Sequence, residues 1–354
     1  MDITFLVGNG FDLSLGYKTS YKDFYDYYLQ QPNDPDHEDA ISLLKKSIDA
    51  DRKHKLEKWS DFEIGLGKFT QSFSTDQADA FIDAYDDAVQ SLDDYLSNLP
   101  QKQDINFITD KQWGAIRKQL CCFYQESKPI EVTEFSNLKT TEQSNGWEAT
   151  FHVVSFNYTN YLDKYVAKIA QEPLETWKRG SEVRKHVLDP NVFHVHGLLN
   201  DYPVIGISSE DQILNQAFRK NDDLRFALIK SNIIDEIGYH RYTEFKDIIN
   251  KSRIICLLGL SLGDSDKHWW DYINNWLMAN QNRSIFIFEY TDTPPSNIHH
   301  TDLRRKTRKV IYRLLNHSKI SDTDKQNLAK RIHVIFNTKK VLVFPRIYNE
   351  KLLH

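Results

Sequence analysis

Apolar and polar positions follow two different periods along this chain. Near the start, Ile3, Phe5 and Val7 are interleaved with Thr4 and Leu6, so both faces of the run are largely apolar. Such a run predicts a strand buried on both sides of a parallel sheet. Runs of the same kind recur at 151–156, 192–195, 204–207, 254–258 and 284–290, with late strands predicted at 333–336 and 341–344. Between them the period lengthens. Ala78, Phe81, Tyr85, Ala88, Leu92 and Leu96 are spaced by three or four residues with Asp83, Asp86 and Asp93 among them, an amphipathic helix. Further helices are predicted at 21–29, with Thr19 or Ser20 as N-cap, at 111–124 and at 266–279.

Strands alternating with helices predict an α/β fold, a Rossmann-type, doubly wound parallel sheet. Gln31-Pro32-Asn33-Asp34-Pro35 breaks the pattern. Residues 31–150 then read as a large helical insertion, with 1–30 and 151–354 forming the sheet domain. A length of 354 residues suits either two domains or one sheet with such an insertion.

Composition narrows the chemistry. Three cysteines, Cys121, Cys122 and Cys256, cannot make a disulfide framework or a four-cysteine zinc site, which fits a reducing cytoplasm. The longest apolar stretch, 254–262, is too short for a bilayer, which needs ~20 residues, and no secretory leader is visible before Asp2. These features predict a cytoplasmic protein without a membrane partner. The net charge of −5 gives no global case for nucleic acid as a partner. Arg304, Arg305, Lys306, Arg308, Lys309 and Arg313 form a local basic run, read by default as a solvated helix face.

Four motifs fall at predicted strand ends. Gly8-Asn9-Gly10-Phe11-Asp12 follows the first strand, where two glycines permit close approach to a ligand and a following helix offers N–H groups to a phosphate. The third glycine of the dinucleotide fingerprint is missing, so a tight strand-to-helix turn explains the motif equally well. Ser155-Phe156-Asn157-Tyr158-Thr159-Asn160 places an amide that can bind a ribose hydroxyl or a water, or that caps a helix. Phe193-His194-Val195-His196-Gly197 offers two histidines on one strand face: a general base, a metal pair or structural groups. Gly259-Leu260-Ser261-Leu262-Gly263-Asp264-Ser265-Asp266 follows the 254–258 strand. Its serine suits a phosphate or ribose, and Asp264 or Asp266 suits a helix cap. In open α/β sheets ligands lie beyond the carboxyl ends of the strands, so the four motifs together predict a nucleotide pocket there.

These residues resemble the AbiH family of bacterial abortive-infection proteins. The resemblance rests on Leu6 to Asp12, Thr19 to Phe24, Ser155 to Thr159, His194 to Gly197 and Gly259 to Leu262, in that order. AbiH proteins in turn resemble sirtuins, whose pattern runs G-A-G-x-S, T-Q-N-x-D, H-G and G-T-S-L. Here Asn9 stands for the alanine, Asp12 for the serine and Thr159 for the aspartate, and the sirtuin zinc cysteines are absent.

The resemblance implies an anti-phage protein that hydrolyses NAD to nicotinamide and ADP-ribose. His196 would accept a proton, and Asn157 would position the water or ribose. Gly8, Asn9 and Gly10 would face the pyrophosphate, with Asp12 and Ser261 near the ribose or phosphate. Phe11, Ser155, Thr159, Gly197, Gly259 and Asp264 complete the implied nucleotide set. NAD is then the substrate, no metal is expected, and a homo-oligomer and a phage-derived trigger are candidate partners. Two other readings stand beside it. One is a module that binds NAD or ADP-ribose without turnover, since Thr159 replaces the aspartate. The other is a metal-dependent hydrolase or nuclease built on His194, His196, Asp264, Asp266 and His268.

Overall fold

β1 (Asp2–Val7) is buried on both faces, and it lies in the middle of the sheet with a parallel neighbour on each side. The structure is a computed structural model describing residues 2–54, 62–100, 105–199, 201–236, 240–295 and 300–344. After β1 the chain runs through α1 (Gly10–Ser14), α2 (Tyr21–Tyr28), α3 (Glu38–His54), α4 (Phe62–Phe69), α5 (Ala78–Ser97), α6 (Asp110–Cys121) and α7 (Pro129–Ser144). It then enters β2 (Thr150–Ser155), α8 (Tyr161–Ile169), β3 (Glu175–Arg179) and β4 (Glu182–His194). The remainder is α9 (Asp222–Leu228), α10 (Lys230–Glu236), α11 (Arg241–Lys251), β5 (Ser252–Leu258), α12 (Lys267–Ala279), β6 (Ser284–Glu289), α13 (His300–Leu315), α14 (Asp322–Ala329) and β7 (Ile332–Phe336).

The sheet order is β3-β4-β2-β1-β5-β6-β7, parallel throughout except for the β3–β4 hairpin at one edge. The period-two alternation of the strands divides their side chains between two cores. Ile3, Phe5 and Val7 point to one face with Ile254, Cys256, Leu258, Phe286 and Phe288. Trp113 and Leu120 of α6, Phe135 of α7 and Tyr165 of α8 cover that face. Leu6, Ile255, Leu257, Ile285 and Ile287 point to the other, beneath Phe245 of α11, four residues of α13 and the tryptophans of α12.

The helices between β1 and β2 do not act as one body. α6 and α7 cover the sheet, whereas α2 to α5 form a third core around Phe24, Phe62, Leu66, Phe81 and Leu92. Leu224 and Leu228 of α9 close that third core from far along the chain. Buried edge-to-face rings carry much of the packing, as at Phe123–Phe286 and Phe135–Phe286, with centroids 5.0 and 4.8 Å apart.

Two predicted strands are not strands. Val204, Ile205 and Ile207 are buried but pair with no strand, and only an isolated bridge joins Ile207 to Ile229. Gly206, at φ +158°, bends the run where a Cβ would collide with the Leu228 carbonyl oxygen. Val341, Leu342 and Phe344 insert into the first sheet core as an irregular segment, with Leu342 at φ +50°. Both runs are apolar because they are buried, and burial alone does not distinguish a strand from a packed loop. The prediction also missed β3 and the first half of β4, whose charged and polar residues give no apolar signal.

Candidate functional site at the carboxyl edge of the sheet

β1, β2, β4, β5 and β6 all end at one rim, and the loops that follow them surround a cleft of about 370 Å³. Gly8, Asn9 and Gly10 come from the loop after β1, Phe156 from that after β2 and His196 from that after β4. Gly259, Leu260 and Ser261 follow β5, and Tyr290 follows β6. A smaller recess adjoins it, sharing Asn9, Ser20, Tyr21 and Phe156 and lined also by Asp12, Asn157 and Thr159.

The glycines serve the loops themselves. The Gly8 N–H donates to the Leu258 carbonyl at 2.9 Å and the Gly10 N–H to the Gly259 carbonyl at 2.9 Å. A Cβ on Gly10 would stand 2.5 Å from the Gly259 Cα, and Gly259 holds φ +66°. What approaches these glycines closely is therefore the neighbouring loop. The Asn9 side chain is likewise engaged, donating to the Thr19 carbonyl and accepting from the Thr19 hydroxyl. α1 spans only five residues.

The cleft floor is a buried charged cluster. Lys230 is 0% exposed and pairs with Glu63 and with Asp266, each at 2.8 Å. Asp266 also meets His196 Nε2 at 2.9 Å, and Lys230 Nζ lies 3.4 Å from the same nitrogen. Tyr158 donates its hydroxyl to Glu63 at 2.6 Å, and its ring stacks on the His196 imidazole. Burial alone would raise the Asp266 pKa, but Lys230 and His196 hold its carboxyl far below the usual carboxylate range. Burial opposes the Lys230 charge, yet Asp266 and Glu63 outweigh it and raise the ammonium pKa. Desolvation without partners would strongly disfavour such charges, and the cluster supplies them.

The recess holds a second buried carboxyl. Asp12 is 1% exposed and accepts from Asn157 Nδ2 at 3.1 Å and from the Thr159 hydroxyl at 2.5 Å. Burial pushes its pKa up to about 7, against the lowering effect of those two hydrogen bonds. Asn157 Oδ1 is buried without a hydrogen-bond partner among the described residues.

The other predicted residues lie elsewhere. Phe11 turns into the core against Tyr165 and Phe344. Ser155 is fully buried and accepts from the Asn157 N–H. Gly197, at φ +71°, turns the chain where a Cβ would press on the Arg241 guanidinium. The Asp264 side chain is mostly exposed and contacts His317 at 3.4 Å, outside the cleft.

The two histidines of the His194-Val195-His196 motif do not share a site. His194 pairs with Asp163 at 3.1 Å, because β4 ends there and the chain turns before His196. Asp266 stands at the N-cap of α12 without a capping hydrogen bond, its side chain being drawn to Lys230 and His196. His268 faces Ser208, and burial lowers its pKa to about 3.

A family model described as "Bacteriophage abortive infection AbiH" matches residues 4–288, most of the chain and every strand that borders the cleft. The chain belongs to the AbiH family. The match includes Glu63, His196, Lys230 and Asp266 and stops before α13. No curated protein matches the chain.

Sequence reading missed Glu63 and Lys230. Each had a visible signal, a single charge within an apolar run in Phe62-Glu63-Ile64 and at the end of one in Phe226-Ala227-Leu228-Ile229-Lys230. Such a charge is buried only when partnered.

Proposed function

We propose that this cleft holds a nucleotide of the NAD type and hydrolyses its N-glycosidic bond during phage defence. The observation that carries the reading is His196, held by Asp266 and backed by Lys230 and Glu63 on the floor of a cleft at the carboxyl ends of parallel strands. Counting parallel strands alone, the sheet order is 3-2-1-4-5-6, the order of Rossmann-type sheets. In such sheets ligands lie where the chain reverses direction across the first strand, and here the loops of β1 and β5 border the cleft.

The chemistry follows from the cluster. As the bond between ribose C1′ and the pyridinium nitrogen breaks, nicotinamide leaves with the bonding electron pair and becomes neutral. Positive charge develops on the ribose, and carboxylates on the cleft floor stabilise it. Water attacks C1′ and gives its proton to His196. With Nε2–H donated to Asp266, Nδ1 is the basic nitrogen. Asn157 Oδ1 accepts from a ligand hydroxyl at the recess, and Ser261 donates to the ribose or phosphate. Because the Gly8 and Gly10 N–H groups are engaged within the loops, the pyrophosphate is held by side chains of the rim, among which Arg313 supplies a cation.

The test is nicotinamide release from NAD by the purified protein, alone and with extracts of phage-infected cells. Release that falls at least 100-fold in His196→Ala supports the reading. No release under any such condition, or release unchanged by His196→Ala, overturns it. Binding of ADP-ribose in calorimetry without turnover favours the non-catalytic alternative, which rests on Thr159 occupying the sirtuin aspartate position.

A further inference from the structure

The basic run of α13 sits on a half-helix in which no side chain is fully buried. The buried residues of α13 are Val310, Ile311, Leu314 and Leu315, all in its second half. From His300 to Lys309 no side chain is buried, and Arg304, Arg305, Arg308 and Lys309 are exposed. Arg304 and Arg308 are four residues apart, as are Arg305 and Lys309, so like charges stack on adjacent ridges of one face. Such pairs oppose helix formation, and a half-helix whose one apolar residue, Leu303, is only half-buried gains little from packing. A polyanion lying along this face reverses the sign of the interaction.

The position of the half-helix argues for a particular polyanion. Residues 289–293 are pinned along α13 at two points, by Arg313 to Glu289 at 2.6 Å and by Lys306 to the Thr293 carbonyl at 2.8 Å. Between those pins Tyr290 stands 79% exposed, beside the cleft that it and Arg313 line. A row of cations ending in an uncovered aromatic ring matches the recognition of single strands, where phosphates meet Lys and Arg and bases stack on rings. An anionic lipid surface would engage the cations and the ring, but it has no use for the cleft that Tyr290 and Arg313 line.

We propose that the exposed face of α13 and Tyr290 form a docking track for a single-stranded polynucleotide, leading to the mouth of the cleft. This goes beyond the NAD reading and does not depend on it. It also gives the basic run a use that the overall charge of −5 conceals.

Fluorescence anisotropy with labelled single-stranded DNA and RNA of about 20 nucleotides, using the full chain, tests the track. Binding is expected in ~50 mM salt and weakens as salt rises. The fourfold variant Arg304→Ala, Arg305→Ala, Arg308→Ala, Lys309→Ala is expected to bind at least tenfold more weakly. The magnitude of its logarithmic salt slope falls by about 3, at roughly 0.7 per phosphate contact on a single strand. Tyr290→Ser is expected to cost about fivefold or more with the salt slope unchanged. A variant losing four charges elsewhere, Lys164→Ala, Lys178→Ala, Arg179→Ala, Lys185→Ala, is expected to change binding less than twofold. Circular dichroism checks that each variant is folded. The proposal is overturned by no oligonucleotide binding at ~50 mM salt, by equal weakening in the two fourfold variants, or by binding to anionic lipid vesicles alone.

Discussion

Asp12 shows how one residue acquires a task from its surroundings. An aspartate in the first turn of a helix is ordinarily ionised well below neutrality. Here burial raises its pKa to about 7, while Thr159 and Asn157 donate to its two oxygens. A folded-state pKa above the unfolded value means that the native state binds the proton more tightly. The associated stability is therefore full below about pH 4 and is lost as pH rises through about 7. Asp12→Asn, which cannot ionise, is expected to flatten this part of the pH profile. Its melting temperature relative to wild type rises between pH 5 and pH 8. Thermal melts across that range check it, and parallel profiles would count against a buried, titrating Asp12. The residues of this recess were legible in the sequence as motif positions. The bond between Asp12 and Thr159 was not, because 147 positions separate them.

At the level of elements, the buried lysine is the instructive case. Lys230 at the start of α10 joins Glu63 of α4 to Asp266 before α12, beneath His196 after β4. Four elements converge on one ammonium group. Removing one partner of a buried ion pair leaves an uncompensated charge, at a cost of about 3–5 kcal/mol. Lys230→Met is expected to lose stability on that scale in denaturant unfolding. Lys230→Met combined with Glu63→Leu is expected to recover part of the loss. Simple additivity of the two changes would mean that the carboxyl and the ammonium do not interact. The strands of the sheet were readable because β1, β2, β5, β6 and β7 are short, nearly continuous apolar runs. The cluster itself was not. Asp266 has the sequence position of a helix cap, and only the fold reveals that its carboxylate turns away from the helix towards Lys230.

The whole molecule joins its parts more closely than the sequence pattern suggested. Residues 31–150 read as an insertion, yet α6 and α7 cover one face of the sheet while α2 to α5 carry Glu63 to the cleft floor. Trp113, Leu120 and Phe135 exchange water for the sheet, and each such side chain contributes roughly 2–3 kcal/mol when buried. Replacing residues 31–144 with a short Gly-Ser linker is therefore expected to abolish cooperative unfolding. Calorimetry checks this, and a sharp transition in the shortened chain would show the sheet to be self-sufficient.

The central place of β1 also sets a timetable for synthesis. β1 is made before either of its neighbours, and its register partners are about 150 and 250 residues further along, as in Ile3 with Phe151 and with Ile254. At roughly 5–20 residues per second, translation leaves Ile3, Phe5 and Val7 without β5 for roughly 12–50 s. During that interval a strand that ends up buried on both faces is an open edge, the state most prone to wrong pairing. The nascent chain thus has to keep β1 covered until about 250 further residues have been made.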